Sequence, residues 1–163
     1  MTAMAAVGHE RGSGGARGLV LLTADTPAVA RRWGADGVHL RQRHADKAAQ
    51  AHRLGLKLTM PVHNHAEARQ ARRARVHAVF ISPLHPTRSH PSAPGLGPAA
   101  WLRFARLADA QPVALGGMTA SRAGALRKAA MASGIIPGWA AIDAWEDKAA
   151  KRREGQKRDA VPT

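Results

Sequence analysis

A chain of 163 residues is long enough for one domain with a core of its own. Hydrophobic residues make up 45% and aromatics only 4%, with no tyrosine, so the core must be built from Leu, Val, Ile and Ala. The absence of cysteine excludes a disulfide framework and a cysteine-based zinc site, and the net charge of +14 raises nucleic acid, anionic substrates or a membrane surface as partners.

The arginines that make this charge are spread along the chain (Arg31, Arg32, Arg53, Arg69, Arg72, Arg73, Arg75, Arg103, Arg106), with no aromatic residues interleaved to stack on bases. They read as solvated helix faces, and nucleic acid is not the expected partner. No run of about 18 apolar residues exists, so no membrane span is expected. Met1 to Gly18 lacks the apolar centre of a signal peptide, which makes a cytoplasmic location the default.

Residues 1–17 hold Gly12, Gly14 and Gly15 close together and read as a disordered leader. Leu19 to Leu22 is a short apolar run, hence a buried strand. Thr26 then offers a side-chain oxygen as N-cap, Pro27 takes the first helical position, and Gly34 stops the helix. Gly37 to Leu40 is the next strand. A helix over 45–54 has Ala45, Ala48, Ala49 and His52 on one face. Leu56 to Val62 reads as a strand, and Asn64 with Glu67 has the spacing of a capping box. The helix that follows carries Ala68, Ala71 and Ala74 on one side and arginines on the other.

Ala78 to Ile81 is a buried strand, followed by a long loop from Ser82 to Gly97 stiffened by four prolines. Gly97-Pro98 opens a helix with Trp101, Leu102, Ala105 and Ala108 at helical spacing. Pro112 to Leu115 is a strand broken by Gly116-Gly117, Thr119 caps a helix to about Ala130, and Gly138 to Ile142 is the last strand. A weak helical segment near Ala144 to Lys151 leads into a basic, solvated tail at residues 147–163. Strands alternating with helices of about ten residues imply parallel βαβ units, six in all. An open α/β sheet and a piece of a (β/α)-barrel fit this pattern equally.

Three segments follow or form strand ends, where parallel α/β folds place their sites. In Gly34 to Leu40, His39 is either a pocket residue or a satisfied core histidine. In Ile81 to His90, the hydroxyls of Thr87 and Ser89 with Arg88 suit a phosphate or diphosphate, since the arginine fork matches phosphate oxygens. A proline-stiffened surface loop is the plainer reading. In Val113 to Thr119, two glycines before a capped helix let an anion approach the backbone; a tight turn is the alternative. His63 and His65 straddle a helix cap and lack the spacing of a helical metal pair.

In order and spacing, GADGVHL at 34–40, PVH at 61–63, FISPLHPTRSHP at 80–91, VALGGM at 113–118 and GWAAIDAW at 138–145 resemble the thiamine phosphate synthase/TenI family. The resemblance spans about residues 18–145 and sets the domain at 18–146. It implies an α/β fold of the (β/α)8 TIM-barrel type, incomplete, with about six βα units corresponding to strands three to eight. It implies thiamine biosynthesis: joining hydroxymethylpyrimidine diphosphate to thiazole phosphate with release of diphosphate, with Mg2+ as cofactor. A TenI-like protein that binds a phosphorylated ligand without turnover is the alternative. Partners would be small phosphorylated substrates.

On this resemblance Gly116 and Gly117 match the thiazole-phosphate turn, Thr87 a diphosphate contact, and Ser89 stands in for a second threonine. His63 and Ile142 also match. Asp25 falls on a magnesium-binding aspartate, but Ala24 and His44 replace its usual companions. His90 replaces a lysine, Asp143 a serine, and Pro83 the TenI tautomerase histidine. Arg88, Arg41 or Arg43 would have to compensate. The family's first two βα units have no counterpart, so two open sheet edges are expected. Their consequence would be poor solubility, pairing with a second copy, or a start codon further upstream.

Overall fold

The computed structural model describes residues 3–8, 19–87 and 94–141. Seven strands lie in one sheet in chain order: β1 (Ala3–Gly8), β2 (Leu19–Thr23), β3 (Gly37–His39), β4 (Lys57–Val62), β5 (Ala78–Ile81), β6 (Gln111–Ala114) and β7 (Gly138–Trp139). From β2 to β7 every neighbouring pair is parallel. Five helices alternate with them: α1 (Pro27–Arg32), α2 (Ala48–Arg53), α3 (His65–Arg73), α4 (Gly97–Ala108) and α5 (Ala120–Ala130). The six parallel strands and their helices are the wall of an incomplete (β/α)8-type barrel, as the family resemblance implies; the alternation by itself fits an open sheet equally.

One element departs from that reading. Residues 3–8 fall in the segment read as a disordered leader, yet they form β1, antiparallel to β2, with Met4 opposite Leu22 and Gly8 opposite Leu19. An open β2 edge presents unpaired N–H and C=O groups, and a nearby extended segment satisfies them. Of the two edges expected to be open, the one at β2 is therefore covered by β1. β7 bounds the other side of the sheet among the described residues.

The helix ends follow local chemistry. The Thr26 side chain accepts the Val29 N–H at 3.3 Å and Pro27 sits at the helix start. Asn64 Oδ1 accepts the Glu67 N–H at 3.0 Å, while Glu67 Oε2 reaches back to the His63 N–H at 2.7 Å. The return bond of the capping box thus lands one residue before the cap. Asn64→Ala is expected to cost about 1 kcal/mol in denaturant unfolding, the usual value of a lost N-cap. An unchanged midpoint would show that the Glu67–His63 bond alone holds this helix start.

Parallel register places alternate strand residues in two layers. Val38, Leu58, Met60, Val62, Val79, Ile81 and Ala114 pack under the helices with Ala30, Ala51, Ala68, Ala71, Trp101 and Ala105, all buried. Alanines at the contacts let the helices lie close to the sheet. The buried faces differ in detail from the periodicity. In α2 it is Ala48 and Ala51 that are buried, with Ala49 and His52 exposed, because residues 42–47 form a separate 3-10 turn that rotates the helix start. In α4, Phe104 joins Trp101 and Ala105 in the core, and Leu102 is only partly buried. The opposite layer of the sheet contains Leu22, Phe80 and Val113, also buried, and includes His39 and Thr59.

Candidate functional site

Parallel strands send all their following loops to one edge of the sheet, so Asp25, the 3-10 turn after β3, His63, the loop from Ser82 and the turn from Leu115 share that edge. Two of these segments are bonded to each other. The Leu84 N–H donates to the Leu115 carbonyl at 2.9 Å, and the His85 N–H to the Gly116 carbonyl at 3.2 Å. The Ser82 N–H donates to the Val62 carbonyl at 3.1 Å, which ties the same loop to the residue before His63.

The paired glycines are required by this contact. Gly116 has φ +91 and Gly117 φ +62, both left-handed. A Cβ on Gly116 would lie 2.8 Å from Pro83 Cα, and one on Gly117 would lie 2.8 Å from the Pro86 carbonyl oxygen. Among the described residues, neither glycine N–H has a backbone acceptor, and both stand just before the Thr119 cap of α5. That cap is made: Thr119 Oγ1 accepts the Arg122 N–H at 3.2 Å.

Arg122 and His85 complete this corner and were not singled out in the sequence. An Arg122 Nη1–H donates to the Gly117 carbonyl. His85 lies against Gly117, and its pKa is lowered, first by burial and then by the Arg122 charge. The signal available in the sequence was an arginine in the first turn of a helix, where the dipole disfavours a cation. Here the Gly117 carbonyl takes up its N–H donor.

The other expected residues are placed as follows. His63 is about half exposed, and Glu67 Oε2 lies 2.8 Å from its Nδ1. Thr87 ends the described part of the loop, while Arg88, Ser89 and Ile142 lie outside the described residues, as do His90, Asp143 and the segment 144–163. His39 takes the quieter of its two readings. Its Nδ1 lies 2.9 Å from Thr59 Oγ1 on the neighbouring strand, and its ring meets Phe80 edge-on. Burial, with help from Arg41, lowers its pKa from the usual 6.5 to about 4, so the ring is neutral. The Gln42 side-chain amide, also unremarked in the sequence, donates to the Pro61 carbonyl and clips the 3-10 turn to β4, and the Gln42 backbone carbonyl accepts from Gln70 Nε2 at 3.0 Å.

Magnesium takes oxygen ligands in a near-octahedral set. Asp25 Oδ1 already accepts the Thr26 N–H at 2.6 Å, the side chains of Ala24 and His44 supply no oxygen ligand, and no group of three His, Asp or Glu side chains gathers among the described residues. These residues do not fit a resident magnesium ion.

Residues 9–137 match the family described as thiamine monophosphate synthase, TMP-TENI. The chain belongs to this family. A thiamine-phosphate synthase from Chromobacterium violaceum is 34% identical over 141 residues, covering 84% of this chain and 67% of that protein. Among solved structures, thiamine phosphate pyrophosphorylase from Pyrococcus furiosus superposes with a TM-score of 0.55 at 21% identity, over 74% of this chain and 56% of that one. A KDPGal structure gives 0.53 at 18% identity, over 73% and 54%. At these identities the structural likeness shows the barrel fold, and the chain spans little more than half the length of those structures. The chain is thus a thiamine-phosphate synthase homologue by sequence, with the fold of that family. No helix among the described residues is long and apolar enough to cross a membrane.

Proposed function

We propose that this chain acts in thiamine biosynthesis as a thiamine phosphate synthase-type transferase, joining hydroxymethylpyrimidine diphosphate to thiazole phosphate and releasing diphosphate. The observation that carries the reading is the pair of bonds joining the 82–87 loop to the Leu115–Gly117 turn at the C-terminal edge of the sheet. It brings the family's two phosphate-contacting segments to one corner.

In this reading the thiazole phosphate sits on the Gly116 and Gly117 N–H groups and the start of α5, where backbone donors and the helix dipole favour an anion. Arg122 adds a cation beside them. Thr87, with Arg88 and Ser89, meets the diphosphate, and His63 and Ile142 flank the substrates. The leaving group carries several negative charges, and fixed cationic donors lower the barrier to its departure. Asp25 stays with its own turn, and no step is assigned to a metal.

A second reading is favoured by Ala24 and His44, which stand where the resemblance puts an asparagine and a second aspartate on the diphosphate side. There the chain keeps the phosphate turn and binds without turnover. The test is thiamine phosphate formation from both substrates at high protein concentration, with magnesium supplied. Product above background supports the transferase, and none rejects it. Calorimetric binding of thiazole phosphate without product supports the second reading.

A further inference from the structure

A groove of about 540 Å³ lies on the helix-covered side, between the 3-10 turn with α2 and the second half of α3, and it shares no lining residue with the site above. Its size is that of small-molecule sites. Ala48 and Ala49 give it an apolar floor, and Arg73, Arg75, His52 and Asp46 stand around it.

Arg75 is an unusual choice for its position. After α1, α2 and α3 the chain turns the same way: the N–H of Gly34, Gly55 or Arg75 donates to the carbonyl three residues back, and the next N–H to the carbonyl five residues back. This turn needs a left-handed residue, and φ is +66 at Gly34, +68 at Gly55 and +51 at Arg75. The first two helices use glycine, as sterics favour; the third uses an arginine, which is disfavoured there. The exchange delivers a second guanidinium to a groove that already holds Arg73. Among the described residues the ion pairs are His63–Glu67 and Arg72–Asp109, so neither groove arginine is neutralised. His52 Nε2 lies 2.9 Å from the Ala74 carbonyl and holds the wall in place.

We propose that this groove is a separate binding site for a small ligand bearing adjacent phosphates, the phosphates on Arg73 and Arg75 and an apolar ring on the alanine floor. Two guanidinium forks two residues apart suit the oxygens of a diphosphate better than a single charge. The site does not depend on the transferase reading.

The test uses amide NMR spectra of the full chain titrated with ADP, inorganic diphosphate and adenosine. ADP and diphosphate are expected to shift the amides of Ala48, Ala49, Ala74 and Arg75, and adenosine to leave them unmoved. Arg75→Gly suits the left-handed backbone, so it should fold at least as well as the parent, yet weaken ADP binding about tenfold. Asp46→Asn removes the one carboxylate of the lining and should tighten it. Shifts confined to Gly116 and Gly117, or an Arg75→Gly chain that binds ADP as the parent does, would overturn the proposal.

Discussion

Gly116→Ala is expected to lower folding stability by about 2–4 kcal/mol, from a left-handed backbone strained by a side chain and from overpacking against a neighbour that cannot yield. The new Cβ would lie 2.8 Å from Pro83 Cα and 2.9 Å from Pro83 Cβ, on a backbone held at φ +91. Pro83 is part of a loop bonded on both sides of the turn, through Leu84 to Leu115 and through His85 to Gly116. Relief would therefore come by parting the two loops. Gly124→Ala is the control, since nothing lies within 4 Å of its Cβ position in mid-α5. That change should stabilise by about 0.5–1 kcal/mol through helix propensity. Urea unfolding of the three chains measures both. If Gly116→Ala and Gly124→Ala shift the midpoint alike, the loop contact does not hold the corner together.

Acid should destabilise this fold well before its carboxylates titrate, through His39. Burial lowers the folded pKa to about 4 against 6.5 in the unfolded chain. Between those values the unfolded state binds the extra proton, so stability rises with pH. The contribution is complete above about pH 6.5 and is lost as pH falls towards 4. A gap of about 2.5 pKa units corresponds to roughly 3 kcal/mol, and partial exposure of the ring makes about 2 kcal/mol the expected size. His77 adds in the same direction: burial, then His52 and Lys57, lower its pKa, although a hydrogen bond with the Leu58 backbone opposes the shift. Thermal unfolding at pH 7.5 and pH 4.5 of the parent and of His39→Gln separates the two. The variant should lose most of the parent's pH dependence. Parallel curves would assign the acid sensitivity to other groups.

Much of the corner was legible in the linear chain because its signals are local. A cap at Thr26, Asn64 or Thr119 is decided by residues three positions apart, and strands such as Ala78–Ile81 are short apolar runs between breakers. The alternation of such runs with capped helices is enough for parallel βαβ units, and the order of GADGVHL, the proline-rich loop and VALGGM pointed to the family that residues 9–137 match. What the chain left open depends on folded partners: Gln42, which was missed, matters because Pro61 and Gln70 come to it, and the two readings of His39 are decided by Thr59 and Phe80 closing around it. Arg122, also missed, has its partner Gly117 only five residues away, but the bond forms only because the turn between them folds back.

The sequence by itself determined the kind of fold: apolar period, helix caps and breakers act over a few residues, so they need no knowledge of the rest of the molecule. Only the tertiary structure decided which face each helix buries, that residues 3–8 cover the β2 edge, and that the Gly116–Gly117 turn is moulded on Pro83 and Pro86. Those are contacts between segments tens of residues apart. Their geometry is set by sheet register and packing, which no single stretch of chain contains.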